Sequence, residues 1–274
     1  MRCAGGDEEL ERNVAVSLTI VFSTRVLDRA FVEHVQSTVG VPGAQIISYV
    51  NSNAFSLASL YNRGLEAAEN DIVVFLHDDI VFDKTGWGGR LLRQFRETEF
   101  GILGVAGTTE LIRDRDGIVE RWWKVENKRV GWVRHLVDGR HRDALLSYKY
   151  RRPVEVICLD GVFIAVDKRR IREKFDERFF GFHFYDLSFT FRNHLLGVKV
   201  GVVFDVDVTH KSVGVLSDEW NRGRKQFTHL YGEHIPYEIE RVTGRVRYFD
   251  LGNARKYLSA WYEKHLSWRF KSLK

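Results

Sequence analysis

Cysteine is nearly absent from this 274-residue sequence, which holds only Cys3 and Cys158. Two thiols cannot build a zinc cluster by themselves, and they do not suggest the disulfide framework of small secreted domains. Proline is as scarce, at three residues, which excludes Pro-rich linkers. No apolar run approaches the roughly 20 residues of a membrane span. The first 13 residues are polar and acidic and lack the basic-then-apolar order of a signal peptide, so a cytoplasmic location is expected. Repeats and low-complexity tracts are missing too. Charge of one sign hardly dominates: 42 basic against 37 acidic residues leave a net +5. That excess suits a polyanionic substrate, an anionic membrane or nucleic acid, and it selects none of them.

What is present is the composition of a globular protein, 44% hydrophobic and 29% charged, long enough for one large α/β domain or two small ones. Residues 14–22 (VAVSLTIVF) form a near-continuous β-branched run, the pattern of a strand buried on both faces. A helical pattern over 26–39, a strand at 45–50 and a helix capped by Ser56 follow. A third buried strand, 71–76 (DIVVFL), runs into His77-Asp78-Asp79. Strands alternating with helices predict a parallel sheet with crossover helices. A helix around 91–95 and a strand at 101–106 continue the pattern. Residues 111–152 are dense in charge, hold Trp122, Trp123 and Trp132, and predict a β-ribbon excursion. Beyond it come strand at 154–166, broken by Asp160-Gly161, a basic helix at 167–175, an aromatic loop at 179–184, a helix opened by Asp186, and strand at 198–204.

Three groups carry chemistry. Adjacent carboxylates at the end of a buried strand repel each other unless a cation neutralises them, and hard oxygen ligands suit Mg²⁺ or Mn²⁺ bridging a diphosphate. The bland counterpart is that Asp78 and Asp79 cap the next turn. Asp186 sits among aromatics at a helix start, where apolar surroundings raise a carboxylate's proton affinity toward that of a general base; a plain N-cap is the alternative. His210, just past a late strand, can ligate a metal through one neutral ring nitrogen, and Lys211 beside it can meet a phosphate.

Taken in order, Asn51-Ser52-Asn53, Ser56-Leu57-Ala58, Tyr61-Asn62-Arg63-Gly64, Phe75-Leu76-His77-Asp78-Asp79, Leu159-Asp160-Gly161, Phe175-Asp176-Glu177-Arg178-Phe179, His183-Phe184-Tyr185-Asp186 and His210-Lys211-Ser212 resemble family 2 glycosyltransferases of the GT-A fold. They look nearest to the branch related to a streptomycin-biosynthesis protein domain, and the resemblance covers roughly residues 14–217. It implies a Rossmann-like, mostly parallel sheet flanked by helices, a nucleotide-diphosphate-sugar donor (UDP- or dTDP-linked), a divalent cation, Mn²⁺ or Mg²⁺, and inversion at the anomeric carbon. The acceptor it implies is a glycan or a lipid-linked hydroxyl. It further implies donor contacts from Ser23, Arg25, Asn51, Asn62, Asp78 and Lys211, metal ligation by Asp79 and His210, a catalytic base at Asp186, and acceptor or sugar contacts from Asp160 and His183. Trp122, Trp123 and Trp132 offer flat faces for sugar stacking, or else simply pack the ribbon onto the body. The string departs from DxD in having His77 first.

A sugar nucleotidyltransferase would open with a glycine-rich loop after the first strand, where this sequence has Ser23-Thr24-Arg25-Val26. A non-catalytic carbohydrate-binding protein has no need of Asp79, Asp186 and His210 together. Nucleic acid is not expected as a partner. The expected division is a flexible 1–13, a GT-A domain over 14–251 and a basic amphipathic helix over 252–274. In that last helix Leu258, Trp261, His265 and Trp268 recur at helical spacing. Packing on the domain, pairing with a second copy, lying peripherally at the inner face of a membrane, or a disordered end are the open readings of that segment.

Overall fold

The computed structural model describes residues 17–240 apart from 138, 148 and 213–215, with backbone alone at 137 and 142–145. The expectations for residues 1–13 and for the helix at 252–274 lie outside the described residues. In chain order the elements are β1 Leu18–Thr24, α1 Arg29–Val39, β2 Gln45–Val50, α2 Leu57–Ala67, β3 Ile72–Leu76, β4 Ile80–Phe82, α3 Trp87–Glu97, β5 Ile102–Gly104, β6 Ala106–Thr108 and β7 Glu110–Leu111. After a 3₁₀ turn at Trp122–Lys124 come β8 Arg129–Val137, β9 Arg140–Leu145, β10 Val154–Val156, β11 Cys158–Leu159, β12 Phe163–Asp167, α4 Tyr185–Leu195, β13 Val200–Val202, β14 Val208–His210, α5 Asp218–Tyr231 and β15 Tyr237–Glu238.

The main sheet has the order β10-β13-β5-β12-β3-β1-β2. Strands β2, β1, β3, β5 and β13 run one way, and β12 and β10 oppose them. Alternate residues of β1 serve opposite faces, as the two-residue period of a strand demands. Leu18, Ile20 and Phe22 pack with Phe31 and Val35 of α1 and with Trp87 and Leu91 of α3. Val21 packs with Leu57, Tyr61 and Leu65 of α2 on the other side. A sheet covered on both faces explains why its strands read as unbroken apolar runs. The expected cap holds, with Ser56 Oγ accepting the Ser59 N–H at 3.1 Å. No helix among the described residues is long and apolar enough to cross a membrane.

A second sheet, β11-β6-β8-β14-β4, departs from the sequence reading. The run at 101–106 is not one strand: the chain leaves the main sheet after Gly104 and enters the second at Ala106. The run at 154–166 divides likewise into β10, β11 and β12. The 111–152 segment does form a hairpin, β8 with β9. Its first strand is also built into the second sheet between β6 and β14.

The basic helix expected at 167–175 does not form. A turn at 168–170 brings the Arg170 and Ile171 N–H groups to the Asp167 carbonyl, and side chains take several of the other N–H groups. Asp167 accepts the Arg169 N–H, Asn193 accepts those of Arg172 and Glu173, and Asn62 accepts that of Phe175. Buried amides that satisfy the chain in this way hold it extended. Helix α5 escaped the sequence reading because its composition is polar, although Ser217 caps it and Trp220, Phe227 and Tyr231 mark one buried face.

Candidate active site

Strand β3 lies between β1 and β12, so its exit emerges at the edge where parallel α/β sheets bind ligands. His77, Asp78 and Asp79 form that exit. The chain then turns into β4, which pairs antiparallel with β14 and sets His210 opposite Ile80. This pairing carries His210 to Asp79, with Nε2 3.1 Å from Asp79 Oδ1. The Lys211 N–H closes the crossing on the Asp79 carbonyl at 2.9 Å.

The Asp160-Gly161 turn joins β11 to β12 and meets the start of α4. Phe184, left-handed at φ 63°, bends the chain into the helix. Asp186 therefore lies in the first turn, not at the cap. The Gly161 N–H donates to Asp186 Oδ2 at 2.8 Å and the Leu187 N–H to Oδ1 at 2.9 Å. The Tyr185 hydroxyl lies 3.2 Å from the Gly161 carbonyl. A Cβ at position 161 would lie 2.1 Å from that hydroxyl oxygen, so the approach of α4 to the turn requires glycine.

Burial, with Asp160 nearby, pushes the Asp186 carboxyl up from 3.8 to about 7. For Asp79 burial acts the same way, yet the hydrogen bond and charge of His210 outweigh it and hold the carboxyl at about 2. The His210 imidazole is raised: burial opposes its charge, but Asp79 more than compensates. His77 is lowered by burial and then by His210.

A cleft of about 710 Å³ gathers Ser23, His77, Asp78, Asp79, Asp160, His183, Asp186 and His210, together with Trp122, Trp123, Arg129 and Trp220. Arg25 lies elsewhere, in an adjoining pocket of about 500 Å³ with Asn53, Phe55, Phe180 and His183. Two expected donor contacts have other employment. The Asn51 amide bonds Phe55 on both sides. The Asn62 amide bonds Phe175 and Glu177, and both asparagines are buried. Lys211 is exposed and does not line the cleft. Trp122 is buried at 5% exposure whereas Trp123 keeps 37%, so Trp123 is the one with a face to offer. Trp132 stacks under Lys149 at 3.7 Å.

The donor set fits a divalent cation. One ligand atom each from His77, Asp79 and His210 lies within 4.8 Å of the others. Metal–ligand bonds of about 2.1 Å place neighbouring ligands about 3 Å apart and opposed ones about 4 Å apart. Besides Asp79, His210 Nε2 faces Ser212 Oγ at 3.3 Å and His77 Nδ1 at 3.4 Å. A single ring nitrogen has one in-plane direction for a bond, so three polar atoms converging on it exceed its own hydrogen-bonding capacity. Sequence reasoning gives no role to His77, Tyr185, Ser212, Arg129 or Trp220, although His77 marks the departure from DxD and Tyr185 and Ser212 lie within the motif strings.

A family model described as "Glycosyltransferase like family" matches residues 30–231. No curated protein sequence matches the chain. Among solved structures, GalNAc-T7 with UDP, GalNAc and Mn²⁺ is similar at a TM-score of 0.51 and 10% identity, over 95% of this chain and 58% of that one. S. aureus TarS is similar at 0.49 and 13% identity, over 82% and 40%. The mannosyltransferase PcManGT from Pyrobaculum calidifontis with GDP-Man and Mn²⁺ gives 0.45 and 12%, over 79% and 63%. The chain thus spans little more than half the length of GalNAc-T7, and at such identity the likeness is one of fold.

Proposed function

Since the chain belongs to the glycosyltransferase-like family, we propose that it moves a sugar from a nucleotide-diphosphate sugar to a glycan or lipid-linked hydroxyl, with inversion in one displacement. The observation that carries this reading is the pairing, in one cleft, of a His/Asp set at the end of β3 whose spacing fits a cation with a half-buried carboxylate pushed up to about 7. A cation held from Asp79 and His210, Mn²⁺ or Mg²⁺, would supply charge neutralisation for the departing diphosphate. Asp186 takes the acceptor's proton as its oxygen attacks, the work of a general base poised near the operating pH. Asp160 orients sugar hydroxyls, and Trp123 gives the acceptor a flat apolar face. GalNAc-T7, whose structure holds UDP and Mn²⁺, supports a UDP-linked donor, and a dTDP-linked one rests on the family resemblance alone. The Phe75 to Asp79 string, with His77 in first place, supports the streptomycin-related branch.

Incubating the protein with UDP- and dTDP-sugars and Mn²⁺ should release nucleoside diphosphate, slowly to water and faster when acceptor glycans are added. Release of pyrophosphate from a nucleoside triphosphate and a sugar phosphate would instead make the protein a nucleotidyltransferase. Turnover of neither substrate class would leave a binding protein.

A further inference from the structure

We propose that His77 is a third protein ligand to the cation, that Tyr185 is the residue positioning it, and that the resulting two-imidazole, one-carboxylate set makes the site prefer a first-row transition metal over Mg²⁺. This rests on the glycosyltransferase reading of the cleft and narrows its cofactor.

The geometry begins with His210. Its Nε2 faces Asp79 Oδ1 at 3.1 Å and His77 Nδ1 at 3.4 Å, close to the spacing of about 3 Å for neighbouring ligands on one ion. The orientation of His77 then follows from counting protons. The Tyr61 hydroxyl donates to the Leu76 carbonyl at 2.9 Å, and the Tyr185 hydroxyl donates to the Gly161 carbonyl at 3.2 Å. Each tyrosine has one proton, and a carbonyl can only accept. The arrangement in which both carbonyls and His77 are satisfied at once has Tyr185 accepting from His77 Nε2, 3.0 Å away, which puts the His77 proton on Nε2. Nδ1 is left as a free lone pair aimed at His210. A ligating histidine whose other nitrogen is fixed by a buried partner is the usual arrangement at metal sites. The consequence is chemical. Mg²⁺ favours oxygen donors and near-ideal octahedral geometry, whereas imidazole binds first-row transition ions better, Mn²⁺ the least strongly among them.

Mn²⁺ alone, added to metal-stripped full-length protein and followed by loss of the free-ion EPR signal, should bind, and Mg²⁺ should displace it only at about tenfold excess or more. Nitrogen couplings in the pulsed EPR spectrum of bound Mn²⁺ should count two imidazoles in the wild type and one in His77→Ala. Mn²⁺ affinity should fall by about 10–100-fold in Tyr185→Phe, the usual range when a buried partner of a metal ligand is lost. A single nitrogen coupling in the wild type, or equal binding of Mg²⁺ and Mn²⁺, overturns the proposal, and neither measurement depends on a variant that folds. If Asp79→Ala abolishes Mn²⁺ binding while His77→Ala leaves it unchanged, the third ligand is wrong and the glycosyltransferase reading stands. If the wild type binds neither cation, with or without UDP, both fall.

Discussion

Asp186 holds its proton in the fold up to about pH 7 against 3.8 for an ordinary aspartate, because burial and the nearby Asp160 disfavour its charge. Between those two values the native state carries one more proton than the unfolded chain, so this group makes stability fall as pH rises from about 4 to about 7 and contributes no slope above. His77, lowered by burial and by His210, tilts the profile the other way, since the unfolded chain then binds the extra proton. The difference between wild type and Asp186→Asn isolates the aspartate. Urea titrations should show wild-type stability declining relative to the variant by up to about 1.4 kcal/mol per pH unit across that window; parallel profiles would mean the carboxyl titrates normally. The same proton sets the reaction: kcat/KM should rise as pH climbs through about 7. Asp186→Asn should lose about 10²–10⁴-fold in turnover with donor affinity kept. Residual turnover within about tenfold of wild type would remove Asp186 from the mechanism.

At the scale of elements, α2 and α4 do more than cover the sheet. Asn62 of α2 and Asn193 of α4 hold residues 172–175 through backbone hydrogen bonds, and Asn193 also donates to the Glu173 and Phe189 carbonyls. Asn62→Ala should therefore lower stability by about 1–3 kcal/mol, the cost of leaving buried backbone groups unpaired, and leave nucleotide affinity unchanged. A normal urea midpoint with weakened UDP binding would return Asn62 to the donor site. Trp123→Ala should raise the acceptor KM without loss of stability, while Trp122→Ala, which empties a buried site, should lower the melting temperature. These two asparagines also show what the sequence could and could not reveal. Strands β1, β2 and β3, helix α2 and its Ser56 cap were legible, because both-face burial and capping leave local patterns. That Asp79, His210 and Asp186 belong together was an expectation from ordered motifs, and the fold brings the three into one cleft. The loss of the 167–175 helix was not legible, since it depends on amides 20 and 113 residues away. Nor was the split of 101–106 between two sheets, because a strand that changes sheets keeps its apolar pattern. The convergence of His77, Tyr185 and His210 needs contacts spanning 108 and 133 residues.

For the molecule as a whole, the cleft's charge predicts how ligands couple to folding. Asp78, Asp79, Asp160 and Asp186 all line it. Of the three arginines that also line it, Arg121 is paired with Glu120 and Arg224 with Asp114, and Arg129 donates to the Trp123 carbonyl. A nucleoside diphosphate entering alone would set its phosphates against this acidic wall, and a cation alone would have only the protein's own ligands. Together each offsets the other's cost, so each should tighten the other's binding by the same factor. Ligands that bind only the native state stabilise it by about 2.7 kcal/mol at 100 times Kd, worth roughly 5–10 °C in melting temperature for a chain of this size. UDP alone and Mn²⁺ alone should each produce a small shift, and the two together a shift larger than their sum. Chelation by EDTA should return the protein to the UDP-only value, and Asp79→Ala should show no joint effect while melting as a cooperative fold. Additive shifts in the wild type would mean that metal and nucleotide occupy independent sites, and the cleft would then not be the place where a cation meets the donor's diphosphate.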